Sequence, residues 1–278
     1  MKPMLAALQM TSTENLAHNY DVCQSLIQKA ARLGAKLVCL PENFSFLGED
    51  SQQNKQIAEQ PKGELLQSYC ALAKKNQVWL SLGGFLEISP SQQIFNTHII
   101  VDDTGDIKAS YRKVHLFSLD MASSSALDES KTITSGDELV VARSPLGILG
   151  LSICYDLRFS ALYLALANQG AQIMLVPAAF TSTTGKAHWE ILLRARAIET
   201  QAYVAAAAQT GVHSGKRSSH GHAMIVDPWG NIVAQCSEGD GIALAPIDLD
   251  YLAAIRKRIP IFKHQRPDVY QKPVIIYE

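Results

Sequence analysis

Short apolar runs alternate with longer amphipathic ones along the chain, and the alternation predicts its elements in order. Residues 2–10 are apolar and read as a strand. After Thr13 or a neighbour, either of which supplies an N-cap, Leu16, Val22, Leu26 and Ala30 recur on one helical face up to about Leu33. Gly34 ends that helix, as glycine often does. Residues 37–40 predict a buried strand that stops at Pro41-Glu42. Strand, helix, strand is the unit that gives parallel pairing through a right-handed crossover. Residues 62–76 predict a second helix, with Leu65, Leu66, Tyr69, Leu72 and Ala73 inward. Residues 78–87 and 95–101 predict strands. Asp103-Thr104-Gly105 is a turn signal, and residues 107–112 return as a hairpin partner ending at Lys113.

Residues 114–138 then lose all periodicity and include Ser123-Ser124-Ser125. A structureless stretch of this length inside a compact domain is more often a functional lid than a spacer. Two strands follow around Pro145-Leu146-Gly147, the second running to Cys154. Residues 161–169 predict a helix stopped by Gly170, and 173–176 a strand stopped by Pro177. Residues 186–201 predict a long helix with Glu190 placed one turn before Arg194. Residues 203–208 predict a strand. Residues 223–226 and 232–234 predict a hairpin across Asp227-Pro228-Trp229-Gly230. The last strand is expected at 242–247 and the last helix at 249–258, with an extended tail from about 260. No repeat or linker interrupts the pattern, so residues 1–278 are expected to form a single domain. Helices alternate with strands, but hairpins intervene. That predicts an α/β fold with a mixed sheet system, in which two stacked sheets between two helical layers would hold the content.

Composition narrows the class. Hydrophobic residues are 47% and charged residues 18% of 278, as in an ordinary globular enzyme. The formal net charge of -1 gives no electrostatic reason to expect a nucleic acid or an anionic membrane as partner. No apolar run approaches the roughly 20 residues of a membrane span. The first residues are too short in apolar length for a signal peptide. Five cysteines, Cys23, Cys39, Cys70, Cys154 and Cys236, fall at irregular spacings with no Cys-x-x-Cys. An odd, irregular set argues for reduced thiols in the cytoplasm rather than a disulfide framework or a zinc site.

Three predicted strands end in a reactive group: Glu42, Lys113 and Cys154. Strand ends of a parallel sheet share a rim, so groups far apart in sequence can meet there. A free thiol with a pKa of about 8.5 needs activation at neutral pH. A carboxylate at Glu42 serves as general base for it and later for water. Lys113 offers a fixed positive charge to the thiolate and to a developing oxyanion, where one donor is worth about 3 kcal/mol. The backbone amide of Tyr155, just past the thiol, is a natural second donor.

Leu-Pro-Glu42, Tyr-Arg-Lys113-Val-His-Leu and Ile-Cys154-Tyr-Asp-Leu-Arg-Phe, in that order and spacing, resemble the three signature motifs of the nitrilase superfamily of carbon–nitrogen hydrolases. The resemblance implies a four-layer α-β-β-α sandwich, a homodimer or higher homo-oligomer, and no cofactor. It also implies a Glu–Lys–Cys amidase that works through a thioester. Family members often use a second glutamate from the loop before the nucleophile. Glu129 is the matching residue, with Asp128 and Glu138 as alternatives. Ser160 stands where the family often has proline after Arg-Phe. The stretches 79–85, 184–189, 194–200, 221–230 and 264–270 are most similar to the branch that hydrolyses deaminated glutathione, with omega-amidases second. That branch implies a small amide substrate with a 2-oxo acid end, released as 2-oxoglutarate. It also implies Arg158 and Thr184 as the groups that bind the acid, Arg158 because a guanidinium holds a carboxylate bidentately.

Other readings stay open. Cys23, Cys39 and Cys70 read as small core residues. His115 offers a Cys–His pair as in thiol proteases, but without a protease-type cysteine signature. His220 and His222 share a strand face and suggest a metal, but lack a nearby carboxylate. Arg158 has a structural alternative, an ion pair with Asp156 or Glu199. A catalytically silent scaffold is the non-enzymatic alternative.

Overall fold

In the computed structural model, residues 2–48, 51–118, 128–214, 217–272 and 276 are described. The first half runs β1 (Met4–Met10), α1 (Leu16–Arg32), β2 (Ala35–Leu40), α2 (Ser51–Ile57), α3 (Glu64–Asn76), β3 (Trp79–Ile88), β4 (Ile94–Val101) and β5 (Ile107–Arg112). The second half runs β6 (Val141–Ser144), β7 (Gly147–Leu151), α4 (Ser160–Asn168), β8 (Ile173–Leu175), α5 (Ser182–Thr200), β9 (Tyr203–Ala206), β10 (Ala208–Ser214), β11 (Arg217–His220), β12 (Met224–Val226), β13 (Ile232–Gln235), β14 (Gly241–Pro246), α6 (Leu249–Arg258), α7 (Ile261–His264) and α8 (Pro267–Tyr270).

The strands form two sheets. One has the order β11-β10-β1-β2-β3-β4-β5, with β14 also antiparallel on β1; the other has the order β13-β12-β9-β8-β7-β6. The period-2 rule sorts the side chains between two cores. In β1, Leu5 and Ala7 face the second sheet, while Ala6, Leu8 and Met10 face α1 and α3. In β2, Leu37 and Cys39 face inward and Val38 and Leu40 outward. The second sheet is covered on its far side by α4 and α5 through Leu162, Tyr163, Leu166, Trp189, Leu193 and Ala197. The layers are therefore helix, sheet, sheet, helix, the expected α-β-β-α sandwich. The β1–α1–β2 unit pairs in parallel, as the strand-helix-strand pattern requires.

Several local expectations are corrected. Around Thr13, it is the nearby Asn15 that caps α1, its side chain accepting from the His18 amide at 3.0 Å. β7 ends at Leu151, and Cys154 instead begins a 3-10 turn, Cys154–Arg158. The apolar run 203–208 is two strands: the chain leaves the second sheet after Ala206 and enters the first at Ala208. Helix α5 starts at Ser182, which puts Thr184 in its first turn rather than in a loop. The tail is not extended throughout, because Ile261–His264 and Pro267–Tyr270 coil into short helices. Part of the proposed lid, residues 119–127 with Ser123-Ser124-Ser125, lies outside the described residues.

Candidate active site

Glu42 lies just past β2, on the inner rim of the first sheet, and is 3% exposed. Two glycines let it sit there. Gly83 and Gly84 fall at the register shift between β3 and β4. A Cβ on Gly83 would overlap Pro177, and one on Gly84 would lie 2.7 Å from the Asn43 amide and 2.8 Å from Glu42 Cγ. Gly84 also has φ +72, a left-handed conformation that glycine adopts freely. The Glu42 carboxylate accepts from Lys113 Nζ at 2.9 Å, Asn96 Nδ2 at 3.0 Å and the Ala179 amide at 3.1 Å. Its backbone carbonyl accepts from Gln209 at 3.0 Å.

Lys113, one residue past β5, is 1% exposed. Its Nζ bridges Glu42 and Glu129, reaching the two Glu129 oxygens at 2.8 and 3.0 Å. Glu129 enters on a single 3-10 turn, Glu129–Lys131. Its carboxylate accepts from the Phe117 amide at 2.8 Å, and its own amide donates to the Phe117 carbonyl at 2.9 Å. The alternatives fall elsewhere: Asp128 caps that turn through Ser130, and Glu138 is exposed.

Cys154 closes the site from the second sheet. Its φ is +47, a conformation that is unusual for a side-chain-bearing residue and that here turns the sulfur out of the strand. The turn is held by its amide donating to the Pro177 carbonyl at 2.8 Å and by the fully buried Asp156. Asp156 accepts from the amides of Ile153 (2.8 Å) and His115 (3.1 Å) and from Tyr111 Oη (2.7 Å), and His115 Nδ1 lies 2.8 Å from it. His115 is thus committed to Asp156 and stacks on Phe159, centroids 3.6 Å apart, rather than serving the thiol. The three reactive ends do converge, but from two facing sheets and not along one rim.

The electrostatics fix the resting protonation. Burial pushes the Cys154 thiol well above its ordinary value, the Glu42 charge adds to this, and Lys113 only partly opposes it. Burial would raise Glu42 too, but Lys113 and hydrogen bonds from Cys154, Lys113 and Asn96 outweigh it, leaving the carboxyl below its ordinary value of 4.5. Burial works against the Lys113 charge, but Glu129, Glu42 and Cys154 hold its pKa well above 10.5. The site at rest is a neutral thiol beside a carboxylate, with an ammonium between the two acids.

The remaining predicted residues border this group. The Tyr155 ring packs edge-on against Phe117 and Phe159. Arg158 lies over Phe180 at 5.4 Å and Tyr155 at 5.9 Å, with Nη1 3.2 Å from His188 Nδ1. Neither expected structural partner holds it: Asp156 is engaged as above, and Glu199 pairs with Arg196 at 2.7 Å. Thr184 Oγ1 is 2.9 Å from Thr181 Oγ1 in the first turn of α5. The rings of His220 and His222 are 4.6 Å apart, and among the described residues no group of three or more His, Cys, Asp or Glu side chains is placed to hold a metal. Sequence reasoning missed Asn96, the Ala179 amide and the anchoring role of Asp156. Asn96 and Ala179 carry no motif signal. Asp156 was legible only as part of the cysteine motif.

The model of one family, Carbon-nitrogen hydrolase, matches residues 4–257. The chain belongs to the carbon–nitrogen hydrolases. It is therefore a hydrolase of amide carbon–nitrogen bonds. Carbon–nitrogen hydrolases similar to it include deaminated glutathione amidases from Bos taurus, 49% identical over 96% of this chain and 83% of that protein, and from Homo sapiens, 48% identical over 96% and 84%. The crystal structure of the C. elegans NitFhit protein superposes with a TM-score of 0.92 at 44% identity, covering 97% of this chain and 66% of that one.

Proposed function

We propose that this carbon–nitrogen hydrolase is a cysteine-dependent amidase that splits deaminated glutathione into 2-oxoglutarate and cysteinylglycine, a metabolite-repair reaction. The observation that carries the chemistry is the buried Glu42–Lys113–Glu129 bridge against Cys154. The relatives named for deaminated glutathione support the substrate. Glu42 takes the thiol proton as Cys154 Sγ bonds to the amide carbon. Lys113 and the Tyr155 amide stabilise the oxyanion. Glu42 returns the proton to the leaving nitrogen as the C–N bond breaks, leaving a thioester. Water then loses a proton to Glu42 and attacks the thioester, the C–S bond breaks, and the thiol is restored. Glu129 holds Lys113 and lines the space where the amide nitrogen sits. Arg158, which pairs with no carboxylate among the described residues, and Thr184 bind the 2-oxo acid end.

We read the chain as one hydrolase domain working in the cytoplasm as a homodimer or higher homo-oligomer. Ile191 and Ile198, two turns apart on the outer face of α5 and 68% and 52% exposed, support pairing through that face. No helix among the described residues is long and apolar enough to cross a membrane. The test is direct: purified protein is given deaminated glutathione or 2-oxoglutaramate, and 2-oxoglutarate release is followed. Glu42→Gln protein is weighed for an acyl adduct on Cys154. Release from 2-oxoglutaramate alone replaces the proposal with an omega-amidase, and release from neither overturns it.

A further inference from the structure

Arg217 is a second arginine at this site that neither the sequence motifs nor the mechanism uses. It opens β11, which pairs antiparallel with β10 and bridges through Ser219 to Thr181, at the start of α5. Ser218 Oγ lies 3.0 Å from Ser182 Oγ, fixing the strand against that helix. From there the half-buried side chain reaches the loop that follows Glu42, where Nη1 donates to the Gly48 carbonyl at 3.4 Å. Burial lowers its pKa, while Glu42, Glu129 and Cys154 act on it through their charges in the opposite sense. None of the described residues gives it a carboxylate partner. A half-buried guanidinium whose one bond among the described residues is a long one to a carbonyl is expensive unless an anion meets it.

The chemistry places that anion. Glu42 must protonate the leaving nitrogen, so the amine half of the substrate lies on the Glu42–Glu129 side. Arg217 is tied to the loop that follows Glu42, on that side, whereas Arg158 sits over Tyr155 and Phe180. Glu42 and Glu129 also outnumber Lys113, so a substrate with a carboxylate at each end would meet a net negative site without further cations. Resting on the function proposed above, we propose that Arg217 anchors the carboxylate of the leaving amine, so that a dianionic amide is held between Arg158 at its acid end and Arg217 at its amine end. Arg217 is then a specificity residue that selects peptide-like leaving groups over ammonia.

The test is the ratio of kcat/KM for deaminated glutathione to that for 2-oxoglutaramate, which shares the acyl half but releases ammonia. In Arg217→Gln the ratio should fall about 10- to 100-fold, the range of one charge-assisted contact. Arg217→Lys should recover part of it. An unchanged ratio, whether both activities fall together through a fold defect or neither falls, refutes the anchor alone. Wild-type protein that turns over 2-oxoglutaramate but not deaminated glutathione refutes both the anchor and the substrate assignment.

Discussion

Replacing Lys113 by methionine keeps the length of the side chain and removes its charge. Two carboxylates then face each other across a site where Glu42 is 3% exposed and has lost its cation. Removing one partner of a buried pair costs about 3–5 kcal/mol. At this chain length each kcal/mol moves Tm by about 2 °C, so the loss is roughly 6–10 °C. The pH dependence of stability also inverts. In the wild type, Glu42 is held below 4.5, so its contribution is present above the unfolded value and fades as pH falls through the folded one. Without Lys113, burial raises the folded value instead, and stability fades as pH rises through it. The assay is Tm by differential scanning fluorimetry from pH 5 to 8, alongside kcat/KM over the same range. The variant should lose Tm with rising pH, where the wild type does not, and its activity should fall at least 1,000-fold, one lost electrostatic stabiliser plus a protonated base. A variant whose Tm tracks the wild type across pH, or which retains activity, would refute the idea that Lys113 keeps Glu42 ionised.

Two further substitutions test the scaffold. Gly84→Ala drives a methyl into Glu42 at a left-handed backbone position and should lower kcat/KM at least tenfold; Gly34→Ala, also left-handed at φ +92 but with nothing within 4 Å, should cost only about 1 kcal/mol of stability and leave kinetics intact. Equal kinetic effects from the two would remove the steric argument. Asp156→Asn turns amide hydrogens toward donors that the carboxylate now satisfies. Its Tm should fall, and alkylation of Cys154 by iodoacetamide should slow; an unchanged alkylation rate would show that the turn holds itself.

The fold was legible where a rule of local physics acted alone. The apolar runs of β1 and β2, the span of α1 and the Asp103-Thr104-Gly105 turn stand where the pattern puts them. The buried face of α1, however, is Asn19, Cys23, Leu26, Ile27 and Ala30, and Leu16, expected on that face, is exposed. Tertiary context decided the rest. Residues 203–208 are uniformly apolar because both sheets bury them, so nothing in the sequence marks Ala207 as the crossing. β10 is largely polar and is placed by pairing with β1, far away in the chain, where Gln9 lies opposite Ala208, and β11 is only four residues long. Glu42, Lys113 and Cys154 could be picked out by their motifs, and the structure brings them together with Glu129. That they approach from facing sheets was not legible, because the strand-end argument treats one sheet at a time. Arg217 gave no signal at all, since an arginine in a Gly-Lys-Arg-Ser-Ser stretch reads as solvated until the fold turns it inward.

The passage of the chain from one sheet to the other at Ala207 has a mechanical corollary. Nucleophile and base ride on separate slabs, joined here by a short tether and by contacts such as the Ala179 amide, past β8, to the Glu42 carboxylate. Sliding one slab past the other by an ångström separates sulfur from carboxylate while every helix and strand survives. Turnover is therefore a gauge of how tightly the slabs are seated. Under gentle heating or dilute denaturant it should fade before the circular dichroism of the secondary structure does.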